Sequence, residues 1–97
     1  MTVYLLHIYP PYKHARHYIG FTTDDTPGRA NRRISQHIRG LKNSSPLLRH
    51  ALTAGSKIKV AYIWLGADRN FERKLKNRAD TRRWCPCCKG HAKVPTP

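Results

Sequence analysis

His7-Ile8-Tyr9-Pro10-Pro11-Tyr12-Lys13-His14-Ala15-Arg16-His17-Tyr18-Ile19-Gly20 interrupts an apolar N-terminal stretch with prolines and cations. Residues 3–9 and 17–21 are short runs rich in strand formers, and the segment between them reads as the loop of a hairpin. The first strand is expected over residues 1–9 and its partner over 17–22. Neighbouring antiparallel strands bring facing side chains close together, so the hairpin is expected to set Tyr9 beside Tyr18. Two phenols on a rigid sheet make a candidate site. Two half-buried packing tyrosines are the plainer reading.

Working outward, residues 23–27 supply turn and cap types, with Pro27 suited to a first helical turn. Ala30, Ile34, Ile38 and Leu41 then recur at helical spacing, which predicts an amphipathic helix over 27–40. Arg33 and His37, four apart, share one of its faces. Gly40 and residues 43–46 break that helix, and Leu47, Leu48, Ala51 and Leu52 mark a second over 46–54. Residues 57–65 alternate, placing Ile58, Val60, Tyr62 and Trp64 on one face and the apolar Ala61, Ile63 and Leu65 on the other, which predicts a third strand at the centre of the sheet. Ala67, Phe71, Leu75 and Ala79 define a third helix over 67–80. The expected fold is α+β, a small three-stranded and mostly antiparallel sheet flanked by three helices in the order β-β-α-α-β-α. A chain of 97 residues makes one such domain. Residues 1–83 are assigned to it, and 84–97 to a C-terminal segment with a frayed tail.

The formal charge is +14, from 19 Lys and Arg against 5 Asp and Glu. Such an excess repels itself unless a polyanion is the partner, which puts nucleic acid first. No stretch has the apolar length of a membrane span and none reads as a signal peptide, so a soluble intracellular protein is expected. The cations recur on two expected helices. Arg29, Arg32, Arg39 and Lys42 on or just after the first, with Arg73 and Lys76 on the third, are the candidate phosphate contacts.

Glu72 is the one glutamate in the chain. An ordinary helix ion pair with Lys76, four residues on, explains it simply. The alternative is a divalent-metal ligand, because Mg²⁺ takes one or two protein carboxylates and completes its shell with water and phosphate oxygens.

His7-Ile8-Tyr9 and Tyr18-Ile19-Gly20 together resemble the two motifs that name the GIY-YIG nuclease superfamily, with His7 in place of the first glycine. Arg33-Ile34-Ser35-Gln36-His37 is similar to the family's arginine followed one turn later by histidine or tyrosine, and Glu72 matches its metal-binding glutamate. The resemblance covers about residues 2–80 and agrees with the order of elements above. It implies a divalent-metal-dependent endonuclease that hydrolyses phosphodiester bonds, most simply in DNA. Tyr9, Tyr18, Arg33, His37 and Glu72 would be its catalytic residues, with Mg²⁺ or Mn²⁺ on Glu72. Gly20 would allow close backbone packing beneath the site. Small stand-alone members also resemble proteins of phages and mobile elements, which implies host cytoplasm.

Trp84-Cys85-Pro86-Cys87-Cys88-Lys89-Gly90-His91 holds all three cysteines. Cys85 and Cys88 form a C-x-x-C pair, half of a zinc site, to which His91 or Cys87 could add a ligand. Completing a tetrahedron would take His14, His17, another distant histidine or a second chain; three reduced thiols without metal is the competing reading. The odd count argues against a disulfide scaffold. Beside the nuclease therefore stands a second reading, a non-catalytic basic DNA- or RNA-binding module with a small zinc knuckle. A basic scaffold for an acidic protein partner is a third.

Overall fold

A computed structural model describes residues 2–13, 15–23, 27–38, 45–78, 80–88, 90 and 92–97, without the side chains of 27, 30 and 36–38. It is a small α+β domain with a three-stranded antiparallel sheet flanked by helices. Strands β1 (Thr2–Tyr12) and β2 (Ala15–Thr22) form the hairpin; helices α1 (Pro27–Ile38) and α2 (Pro46–Thr53) follow. Strand β3 (Lys57–Leu65), helix α3 (Arg69–Arg78), a single turn α4 (Thr81–Trp84) and a 3-10 turn at Pro86–Cys88 complete the described elements.

The sheet order is β2-β1-β3, so β1 and not β3 is central. Composition explains the correction. Val3, Tyr4, Leu5 and Leu6 are almost wholly buried on both faces, whereas β3 exposes Lys57, Lys59, Tyr62 and Leu65 to solvent. Edge strands tolerate such charges and the middle of a sheet does not. The expected grouping of Ile58, Val60, Tyr62 and Trp64 on one face of β3, with Ala61, Ile63 and Leu65 on the other, is also corrected. The ladder pairs Leu5 with Tyr62 but Leu6 with Val60, leaving Ala61 as an extra residue. This bulge reverses the inward parity along the strand. Ile58, Val60 and Ile63 accordingly pack with Tyr4, Leu6, Ile8, Ile34, Leu48 and Ala51 under α1 and α2. Trp64 packs on the opposite face with Val3, Leu5, Phe71, Leu75, Trp84 and Cys85.

The hairpin register is the second correction. Both strands run further into the expected loop, the turn closing around Lys13 at φ 54°. Tyr4 therefore faces Gly20, Leu6 faces Tyr18 and His7 faces His17, so Tyr9 and Tyr18 are not neighbours. Helix α3 begins where the Asp68 carboxylate accepts the Phe71 amide at 2.8 Å, an N-cap bond that satisfies a donor left over by the helix. Beyond α3, Trp84 is buried edge-to-face on Trp64, with centroids 5.8 Å apart, and Trp64 Nε1 donates to the Pro95 carbonyl at 2.7 Å. These contacts lay the cysteine segment across the α3 side of the sheet. Among the described residues, no helix is long and apolar enough to cross a membrane.

Candidate metal centre

Cross-strand pairing puts His7 and His17 directly opposite each other, with ring centroids 5.2 Å apart and planes at 64°. Their parity along β1 is that of Val3 and Leu5, so both rings stand on the face that Trp84 and Cys85 cover. The C-terminal segment is shaped to meet them. Cys85 donates its amide to the Thr81 carbonyl at the end of α4, and its own carbonyl accepts the amides of Cys88 at 3.1 Å and Gly90 at 3.3 Å. That tight turn aims the Cys85 and Cys88 sulfurs together. Gly90 is required there, since a Cβ at this position would run into the Arg83 carbonyl.

One ligand atom from each of His7, His17, Cys85 and Cys88 lies within 4.8 Å of every other. Cys88 Sγ is 3.2 Å from His17 Nε2 and 3.7 Å from His7 Nδ1, and Cys85 Sγ is 3.9 Å from His7 Nδ1. Tetrahedral Zn²⁺ with Zn–S near 2.3 Å and Zn–N near 2.0 Å requires ligand separations of roughly 3.3–3.8 Å, which these distances approach. Burial, with Lys59 and Arg16 nearby, lowers the pKa of His7 below the ordinary imidazole value. Burial, then His7, Arg16 and Arg82, push that of His17 down to about 4. Both rings are thus neutral at physiological pH, the form that binds metal. Burial raises the Cys85 thiol, so without a metal it stays protonated and structural rather than reactive.

This set replaces the expected magnesium centre. Among the described residues, it is the one group of three or more His, Cys, Asp or Glu side chains able to hold an ion together. Two imidazoles and two thiols are borderline-soft donors that suit Zn²⁺, whereas Mg²⁺ and Mn²⁺ favour carboxylate and water oxygens. Glu72 is 8% exposed and sits 3.7 Å from Lys76, the ordinary (i, i+4) helix pair. It contributes to no such group, so the reading of the chain as a Mg²⁺- or Mn²⁺-dependent endonuclease, and as a hydrolase, is corrected. The donor set fits a structural zinc module.

The remaining candidates divide between two surfaces. Tyr18, Arg33 and Glu72 do come together, lining a cleft at the β2 edge with Tyr4, Gly20 and Lys76. Burial, then Tyr18, push the Tyr4 phenol above the usual tyrosine range, with Arg33 pulling the other way. Gly20 is needed for this packing, because a Cβ would stand 2.7 Å from the Tyr4 hydroxyl and 2.8 Å from the Tyr18 ring. Tyr9 lies elsewhere, 68% exposed, on the wall of a separate groove that also borders His7, His17 and Cys88. Arg29, Arg32, Arg73 and Lys76 are exposed on α1 and α3. Arg39, Lys42, His91 and the side chain of His37 lie outside the described residues.

Two site residues escaped the sequence reading. Tyr4 was hidden among core residues of β1, and only the true hairpin register distinguishes it. His7 stands in the sequence in place of the motif's first glycine, and only its cross-strand pairing with His17, one of several possible completing ligands, marks it as a zinc ligand. No family model matches this chain, and neither does any curated protein or solved structure.

Proposed function

We propose that this chain is a basic nucleic-acid-binding module whose C-terminal segment is held on the hairpin by one zinc ion. The convergence of His7, His17, Cys85 and Cys88 within 4.8 Å carries the reading. The ion's role is structural: four protein ligands close a tetrahedral site and leave no open position for substrate. It joins positions 7 and 17 to positions 85 and 88, cross-linking the two ends of the described fold. Zinc adds positive charge as well, although the thiolates that bind it offset that gain.

The partner follows from charge. An excess of +14 on 97 residues favours a phosphate backbone, with counterion release as the driving term, and DNA is the first candidate. A GIY-YIG-type scaffold is supported by the order of strands and helices and by the convergence of Tyr18, Arg33 and Glu72 on one cleft. On this reading the scaffold serves binding. Thiol ligands and an odd cysteine count favour a reducing compartment, in keeping with the cytoplasm.

Fluorescence anisotropy of zinc-loaded protein against labelled DNA, at salt concentrations from about 50 to 200 mM, tests the reading. Binding that weakens steeply with salt, by about a factor of ten or more over that range, is expected. Supercoiled plasmid incubated with Mg²⁺ should shift on a gel and remain intact. Absence of binding at low salt would refute the module. Nicking that disappears in Glu72→Gln would overturn the binding-only role.

A further inference from the structure

Where the cysteine segment meets the hairpin, the surface is a broad groove of about 1140 Å³, and His7, His17 and Cys88 form part of its lining. Arg16 comes from β2, Arg78 from the end of α3, and Arg82 and Arg83 from α4; all four line the groove and all four are exposed. Asp80, the acid in the lining, is already engaged, accepting from Arg78 at 2.8 Å and from Trp84 Nε1 at 3.2 Å. The Arg78 guanidinium first, and the Trp84 bond with it, hold the Asp80 carboxyl below the usual carboxylate range. The groove is therefore strongly cationic, with its one negative charge partnered.

Among the described residues, Tyr9 is the most exposed large hydrophobic side chain. A tyrosine 68% open to water, where the pairing of β1 with β3 ends, buries little of its ring in the fold. It is nonetheless held firmly. Its backbone is in register with Lys57, and the next residue's carbonyl accepts the Ser56 hydroxyl at 2.8 Å. An aromatic ring presented on rigid backbone beside arginines suits a base whose face is accessible. Duplexes keep their bases stacked within, whereas single strands splay them out; stacking on aromatics together with cations tracking the backbone is the general mode of single-strand binding.

We propose that this groove binds single-stranded nucleic acid, with Tyr9 as the stacking platform for one base and Arg16, Arg82 and Arg83 as phosphate contacts. The inference rests on the binding role above and deepens it by naming the strand state and the face. The zinc ion has a defined part in it, since it holds α4, with Arg82 and Arg83, against the β2 strand that carries Arg16.

The test is anisotropy of the zinc-loaded full chain with a 12-nucleotide oligo-dT, a 12-nucleotide oligo-rU and a 12-base-pair DNA duplex. At least one single strand is expected to bind more tightly than the duplex, and the dT and rU arms distinguish DNA from RNA as the source. Tyr9→Ala should weaken strand binding about tenfold without changing its salt slope, and Tyr9→Phe should restore it, because the ring and not the hydroxyl stacks. Replacing both Arg82 and Arg83 by Ala should reduce the salt slope by about 1.4. Because Tyr9 is exposed, its variants are expected to fold, which circular dichroism checks. Wild-type strand affinity in Tyr9→Ala would overturn the proposal. Binding to duplex alone would also overturn it while leaving the nucleic-acid module standing, and no binding to any of the three would remove both.

Discussion

Among the described residues, polar side chains gather at two places along the same hairpin, and they differ in kind. At the hairpin end, two neutral imidazoles and two sulfurs converge with separations suited to one ion. At the other, along the β2 edge, two tyrosines and an arginine surround a single carboxylate already paired with Lys76. Both draw on β1 and β2, and both are completed by a later element. What separates them is donor chemistry: several convergent soft donors without opposing charge suit a bound cation, whereas one carboxylate among cations is already balanced. The first is a candidate metal centre, and the second is a polar cleft whose carboxylate is paired with Lys76.

Removing a zinc ligand should have the largest effect and should be confined to the first site. Cys88→Ser or His17→Gln is expected to abolish tight zinc binding and lower the thermal midpoint of the zinc-loaded protein by more than about 10 °C, followed by calorimetry. Cys87 is not among the four converging ligands, so Cys87→Ser should retain zinc with a midpoint near wild type. A Cys87 variant that loses zinc as fully as Cys88→Ser would redraw the centre.

The pH dependence of zinc affinity sharpens the comparison next. Metal binding expels the thiol protons, so affinity should rise about 100-fold per pH unit around neutrality. The histidines add little there, because both have folded-state values below the ordinary 6.5, His17 near 4. A depressed histidine favours the fold above its unfolded pKa. The metal-free protein should therefore lose stability as pH falls from about 6.5 toward 4, a window that denaturant titrations can follow. Competition titrations with a chromophoric chelator measure the zinc slope. A slope near zero at pH 7 would exclude thiolate ligation.

Gly20→Ala acts on the second site. Its methyl group would press on Tyr4 and Tyr18, both ring-bearing and hemmed in, at a cost of roughly 1–3 kcal/mol. Zinc stoichiometry should not change. Loss of zinc in this variant would show that the two places are not independent. Glu72→Gln should be smallest, removing a helix ion pair worth about 0.3–0.5 kcal/mol where Lys76 is largely exposed, and leaving zinc content intact. DNA affinity should hold or rise slightly, because an acid has left a basic surface.

The elements of the fold were legible because their signals are local. Apolar spacing located α1 and α3, Pro46 and Gly55 bounded α2, and alternation gave β3 its ends at 57 and 65. Register was not local. How far β1 continues past Pro10 depends on pairing with β2 and β3, and that extension moved Tyr9 away from Tyr18. The bulge at Ala61 likewise leaves no mark in an alternating run, so simple alternation groups Trp64 with Ile58 and Val60 on one face when it lies on the other. The metal centre was half legible. Cys85-x-x-Cys88 is a short-range signal, and His17 stood among the possible completing ligands. His7 becomes recognisable only when antiparallel pairing puts it opposite His17 and the α4 turn brings the sulfurs across.

Zinc K-edge X-ray absorption on the purified, zinc-loaded chain tests the central claim most directly, because it reads the ligand atoms themselves. The structure predicts one zinc per chain with two sulfurs at about 2.3 Å and two nitrogens at about 2.0–2.1 Å. A shell of oxygen and nitrogen without sulfur, or a chain that binds no zinc while fully folded, would contradict it.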